Sequence, residues 1–542
     1  MAFELGETFR VTSVRGETGD LPWEFSGGRL TIGLTDPEQV STLVISYEGH
    51  VTPTGSPRRG NLEYLGPEGI YLRPASGWYP RPVGGGPVRG SLEVVVPAWW
   101  AVAASGRMVG CTPAGGIGEL RTFEWALDPP AEIYLAAGPY LVRDRVTAQG
   151  ITIRTFFYGR EDTWAEAYLE ETERILDVFT GLFGPYPYPS LTLAEVQDFY
   201  YGGLSARSLL FLEKEWLANP RTNLSASSLL AHEVSHQWWG EIVPVLSDHP
   251  EWFLWEGLAS YSEALYAEAA GGPAEALIVM ADKAAEYAEA ARGHRETSIK
   301  EANVRWYDWQ NTFVYEKGAW LFHTLRFLLG DDEFFDLLRV YLDRFTGREP
   351  TTRDLAALVA ASSGGDPYLE RFMETWVDEP GDVDLALSRV SMRPAGDESG
   401  VYVLDFYLRD AGSRFFPRAE VTVGISGQTS KVVVAEAGAN SLRLPGPVTR
   451  VEVDAGRKVL DLTRDNNRWY FVGGLSVPGT AFRYGAELVL GVVLSLLAVR
   501  LAGAFGHDRP GRRGPVVRGP SLPSGTQPNT WATIRARQGG PG

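Results

Sequence analysis

A chain of 542 residues is too long for one hydrophobic core and is expected to divide into about three domains. Its formal net charge of −18 argues against a nucleic-acid surface, which needs a basic face. The single cysteine, Cys111, excludes an intrachain disulfide and a cysteine metal cluster.

In chain order, residues 1–155 read as an N-terminal β domain. "STLVISYEGHV", "GSLEVVVPAWWAV", "AEIYLAAGPYLV" and "ITIRTFFYG" are β-branched or aromatic runs broken by Gly and Pro clusters. From Glu161 the period changes. "EDTWAEAYLEETERILDVFTGLFG" spaces its apolar residues helically and stops at Gly184, ahead of "PYPYP". A strand-like "LTLAEVQDF" follows, then helical segments around 225–240, 252–270, 273–292, 315–330, 332–346, 351–362 and 367–376. We take 156–385 as one mostly helical catalytic domain. Beyond "DEPGDVDL" strands return, and 386–475 has the size of one β-sandwich. The expected fold class is therefore multidomain α+β.

Residues 485–506, "GAELVLGVVLSLLAVRLAGAFG", are mostly apolar and about long enough to cross a ~30 Å hydrocarbon core. They predict a C-terminal transmembrane helix, the alternative being an amphipathic or core helix. The tail 507–542 opens with basic residues, continues rich in Gly and Pro, and is expected to be disordered. The positive-inside rule puts that tail in the cytoplasm and the acidic body outside. "MAFELGETFRV" lacks the charged-then-apolar signal of an exported body. Without an upstream signal the body would be cytoplasmic.

The chemistry concentrates in "SASSLLAHEVSHQWWG". This segment reads as a helix, with Ser and Asn at its start to cap it and Gly240 to stop it. At 3.6 residues per turn, His232 and His236 share a face and match two corners of a zinc tetrahedron. Glu233 between them is placed to act as general base on a water at an open corner. Glu256, opening the next helical run "WEGLASYSEALYAE", is the expected third ligand. His249 is a nearer rival, but it lies in a Pro-flanked loop. Glu263, seven residues past Glu256, shares its face and is a partner to orient a ligating imidazole. Trp238, Trp239, Trp252 and Trp255 either line the cleft or fill the core.

This arrangement resembles the M1 family of zinc metallopeptidases, the gluzincins that include aminopeptidase N and leukotriene A4 hydrolase. The family pattern is HExxH, 18 residues, then a ligand glutamate in "NEG" followed by "ASY". Here "WEGLASYSE" matches with Trp255 in the Asn place, and 19 residues intervene. An extra residue inside a helix would rotate Glu256 by about 100°, whereas one in the loop costs little, so the insertion is expected in "SDHPEW". "FVYEKGAWLF" resembles the family's "YEKGA" segment, which implies that the Tyr315 hydroxyl stabilises a tetrahedral oxyanion. The resemblance further implies a thermolysin-like catalytic domain, one Zn²⁺ per chain, a peptide substrate and aminopeptidase activity.

One motif departs. The family's GAMEN-like edge strand implies a glutamate that binds the substrate's α-amine. In "FYYGGLSARSLLFL", Gly202, Gly203 and Leu204 align, but Ser205 stands in the glutamate's place. A hydroxyl supplies no charge to pair with an ammonium group, while the strand's backbone can still bind an extended peptide. Glu195 or Asp198 are weaker substitutes as amine anchors. The rival readings are a zinc endopeptidase or hydrolase of amine-free substrates and, from another class, a non-catalytic M1-like membrane scaffold.

Overall fold

In the computed structural model, residues 1–480 are described apart from 18, 35–41, 57–59, 85, 114–117, 247–250, 294–296, 303–307, 382, 397, 413–417 and 473–474. The predicted transmembrane helix 485–506, the tail 507–542 and the rival ligand His249 lie outside the described residues. Among the described residues no helix is long and apolar enough to cross a membrane.

The site is organised by one mixed sheet. Its strands are β1 (Leu141–Val146), β2 (Thr152–Phe157), β3 (Ser190–Val196), β4 (Gly203–Ala206) and β5 (Leu209–Glu213), in the spatial order β1-β2-β3-β5-β4. β3 runs parallel to both β2 and β5 and is buried along its whole length. Its polar residues Ser190, Thr192 and Glu195 are therefore buried together with its apolar ones. β4 returns antiparallel on β5, pairing Gly203 with Leu212 and Ser205 with Leu210, and is the last strand in the order. Strand β1 and most of β2 lie before residue 156, so part of the early β-rich sequence builds the sheet that carries the site.

The two faces of the sheet bury different cores. Leu191, Leu193, Leu210 and Leu212 pack under the helices. Ala194, Val196, Ala206, Leu209 and Phe211 pack with Tyr71, Trp100 and Trp125 of the N-terminal β region. That region contains two four-stranded sheets and a three-stranded sheet whose longest pairing runs Val88–Pro97 antiparallel to Leu120–Ala131.

The helical layer comprises α1 (Ala165–Phe183), α2 (Leu224–Ser235), α3 (Glu256–Gly271), α4 (Pro273–Gly293), α5 (Asp308–Val314), α6 (Glu316–Leu329), α7 (Asp331–Phe345), α8 (Thr352–Ser362) and α9 (Pro367–Asp378). Trp238, Trp239 and Trp255 are 1% exposed, and their indole N–H groups donate to Gly184 O, Ser262 Oγ and Val243 O. These three are core residues; Trp252 packs partly buried against the same core. After α9 come an antiparallel three-stranded and an antiparallel five-stranded sheet between Leu385 and Pro478.

Candidate metal centre

α2 is capped by Asn223, whose side-chain oxygen accepts from Ala226 N at 2.9 Å. The helix ends at Ser235, five residues before Gly240. Ser235 Oγ donates to the His232 carbonyl at 2.7 Å and competes for the acceptor of the next helical bond, His236 N to His232 O, which lengthens to 3.3 Å. The chain then curls through a tighter turn. That turn delivers the Trp239 carbonyl to His236 Nδ1 at 2.8 Å. His236 therefore donates from Nδ1 and keeps the Nε2 lone pair free. His232 reaches the same state by a longer route, with Nδ1 lying 3.0 Å from Glu263 Oε1 on α3.

Glu256 is the first residue of α3, where the helix N-terminus favours a carboxylate. Its Oε2 lies 3.4 Å from His232 Nε2 and 3.3 Å from His236 Nε2, and the two Nε2 atoms are 3.2 Å apart. An ion at the centre of a tetrahedron with bonds of about 2.0–2.1 Å holds its ligand atoms roughly 3.3 Å apart. Glu256 Oε2 is also buried without a hydrogen-bond partner, as a metal-ligating oxygen would be. By both observations the donor set fits zinc. Nineteen residues separate His236 from Glu256, and no α-helix intervenes among those described, so the extra residue disturbs neither helix register.

Glu233 is buried beside the two imidazoles. It faces β4, where a Cβ on Gly203 would lie 2.4 Å from Glu233 Oε1. Only glycine fits there without moving the carboxylate. Burial pushes the Glu233 carboxyl above its ordinary range, and this outweighs the nearby imidazoles. Burial likewise raises Glu256, but the two imidazoles overcome it and hold Glu256 below that range.

Tyr315 sits at the break between α5 and α6, its ring stacked on His232 at 5.8 Å between centroids and 8° between planes. The close approach has a backbone cause. A Cβ on Gly318 would lie 2.9 Å from Gly257 Cα, and one on Gly257 would lie 3.0 Å from Gly318 Cα. α3 and α6 thus touch glycine to glycine, which brings Tyr315 beside Glu256. Burial, then the Glu256 and Glu233 charges, push the Tyr315 hydroxyl well above its ordinary range, so it is a neutral donor at working pH.

On the sheet side, Gly203 and Ser205 face α2, while Leu204 and Ala206 turn to the opposite core. Gly202 precedes them, under the indole of Trp216. The Ser205 hydroxyl accepts from Gln237 Nε2 at 2.7 Å. Gln237 is fully buried; it also donates to Ala206 O at 2.9 Å and accepts from Ser208 N at 2.9 Å. It fastens the β4–β5 turn to the residue after the second histidine. Glu195 is buried and accepts from Tyr158 N at 2.7 Å, so it presents no carboxylate to solvent. Asp198 is exposed and accepts from Asn61 Nδ2 at 2.7 Å.

A His-Glu-x-x-His helix completed by a glutamate from the next helix defines the gluzincin class. Residues 167–376 match the peptidase family M1 domain, and over this region the chain is similar to the M1 gluzincins. Among relatives, aminopeptidase M1-B of Oryza sativa subsp. japonica is 26% identical over 287 residues, covering 49% of this chain and 31% of that protein. Aminopeptidase B of Rattus norvegicus is 30% identical over 237 residues, covering 40% and 34%. The chain spans about a third of the length of the curated relatives it matches. The fold is shared with the M1 zinc metallopeptidase of Deinococcus radiodurans, at TM-score 0.56 and 24% identity over 70% of this chain and 86% of that one. It is shared too with aminopeptidase A of Legionella pneumophila, at TM-score 0.61 and 16% identity over 85% and 55%.

Proposed function

We propose that this chain is a zinc-dependent metallopeptidase that hydrolyses peptide bonds in the aminopeptidase-like manner of its family. The observation that carries the reading is the triangle of His232 Nε2, His236 Nε2 and Glu256 Oε2, with edges of 3.2–3.4 Å, flanked by Glu233 and Tyr315. Zinc held by these three atoms would supply Lewis acidity toward a water and the scissile carbonyl. Glu233 takes the water's proton and later passes it to the leaving amine. The neutral Tyr315 hydroxyl donates to the oxygen that becomes negative as the carbonyl is attacked. β4 offers its outer edge to an extended peptide, with Gly203 letting that backbone approach Glu233.

A second reading is favoured by Ser205. Its hydroxyl is occupied by Gln237, and residues 202–206 of this strand carry no carboxylate for a substrate ammonium. On that reading the peptidase accepts interior bonds or N-terminally blocked peptides. The test is a panel of fluorogenic aminoacyl substrates beside their N-acetylated peptide counterparts, with and without a chelator. The main reading expects chelator-sensitive cleavage of the unblocked panel. Equal or faster cleavage of the blocked panel establishes the second reading, and cleavage of neither by zinc-loaded protein refutes both.

A further inference from the structure

We propose that Lys283 on α4 is a positioning residue that ties the metal ligand His232 and the tyrosine-bearing end of α6 to one buried charge; this rests on the metallopeptidase reading above. Lys283 is 7% exposed, and an ammonium is kept at such depth only where carboxylates compensate it. Its Nζ lies 3.0 Å from Glu263 Oε1, the same oxygen that lies 3.0 Å from His232 Nδ1. The ammonium thus holds Glu263 as the acceptor for an Nδ1–H. That tautomer leaves the His232 Nε2 lone pair aimed at the point where the other two ligand atoms converge.

The second half of the tie runs to α6. The Lys283 charge also faces Glu316 and Glu286. Glu316 directly follows Tyr315, and Glu286 lies three residues after Lys283 on α4 and is hydrogen-bonded to Glu316. Lys317 supports the same contact, its ammonium lying 5.3 Å from the Tyr287 ring centroid on α4. Two carboxyls in contact hold a proton between them. Burial pushes Glu316 up to about 8 against the pull of Lys283, and burial raises Glu286 as well.

The geometry predicts a specific pattern of loss. In the full-length Lys283→Met variant, Zn²⁺ affinity, measured by competition with a chelating dye, falls about 10- to 100-fold, the usual effect of removing a partner behind a ligand. With zinc saturating, kcat falls and KM changes little. Glu316→Gln lowers kcat several-fold with zinc affinity unchanged. Because Lys283 acts on the metal through Glu263, the Glu263→Gln/Lys283→Met double variant binds Zn²⁺ no more weakly than Glu263→Gln alone. That pair of variants also serves if Lys283→Met alone fails to fold, since neither of the two contains an uncompensated Glu263 carboxylate. Wild-type affinity in Lys283→Met, or a further loss in the double variant, overturns the proposal. Wild-type protein that binds no zinc would instead sink the metallopeptidase reading itself.

Discussion

The two sides of the site are built by different rules. On the helical side, α2, α3 and α6 carry every group of the proposed reaction. Each imidazole has its Nδ1 committed, to Trp239 O and to Glu263, and the three ligand atoms converge within 3.2–3.4 Å. On the sheet side, β4 contributes backbone, one glycine and a hydroxyl already taken by Gln237. Chemistry here is specified by charged side chains at short helical spacings, whereas recognition is left to a strand edge and to whatever faces it. One side can therefore be kept while the other drifts.

Substitutions on the two sides should separate in kind. The largest effect is expected for Glu233→Gln, which removes the proton acceptor and leaves all three ligands. We expect kcat to fall about 10³- to 10⁴-fold with zinc content unchanged by metal analysis. Tyr315→Phe should lower kcat about 10²- to 10³-fold, the cost of one oxyanion donor, again with zinc retained; steady-state rates near wild type would remove Tyr315 from the reaction. Gly203→Ala attacks the boundary between the two sides. Its Cβ would collide with Glu233 Oε1 at 2.4 Å, so turnover should drop about tenfold or more with little change in thermal stability. Unfolding midpoints separate that outcome from simple destabilisation. The smallest effect is expected for Ser205→Glu, which adds a charge on the sheet side only. The ratio of unblocked to blocked peptide cleavage should rise by about tenfold, the value of one charge-assisted hydrogen bond, without a change in zinc content. A ratio that does not move would mean that recognition of the amine lies elsewhere.

This contrast also explains what was legible in the sequence. His232, Glu233 and His236 were readable because helical periodicity fixes their relation locally. Glu256 and Tyr315 came from the motifs around them, and the physical reason lies in the Gly257–Gly318 contact, a long-range meeting that no local pattern announces. The end of α2 was read five residues late. Gly240 is a valid stop signal, but the Ser235 hydroxyl competes for the His232 carbonyl first. Gln237 and Lys283 were missed altogether. A polar residue inside "HEVSHQWW" was a usable hint for the first. Nothing around Lys283 on a helix rich in Ala and Glu separates it from a solvated lysine. Only the packing of α4 on α3 and α6 does so.

The account stands on one zinc ion shared by His232, His236 and Glu256. Its most direct test is the zinc stoichiometry of exhaustively dialysed full-length protein, compared with the Glu256→Ala variant. The account predicts one zinc per wild-type chain and a metal-depleted variant that stays folded. A wild-type chain purified and reconstituted without stoichiometric zinc, or a Glu256→Ala chain that holds it as tightly, would contradict it.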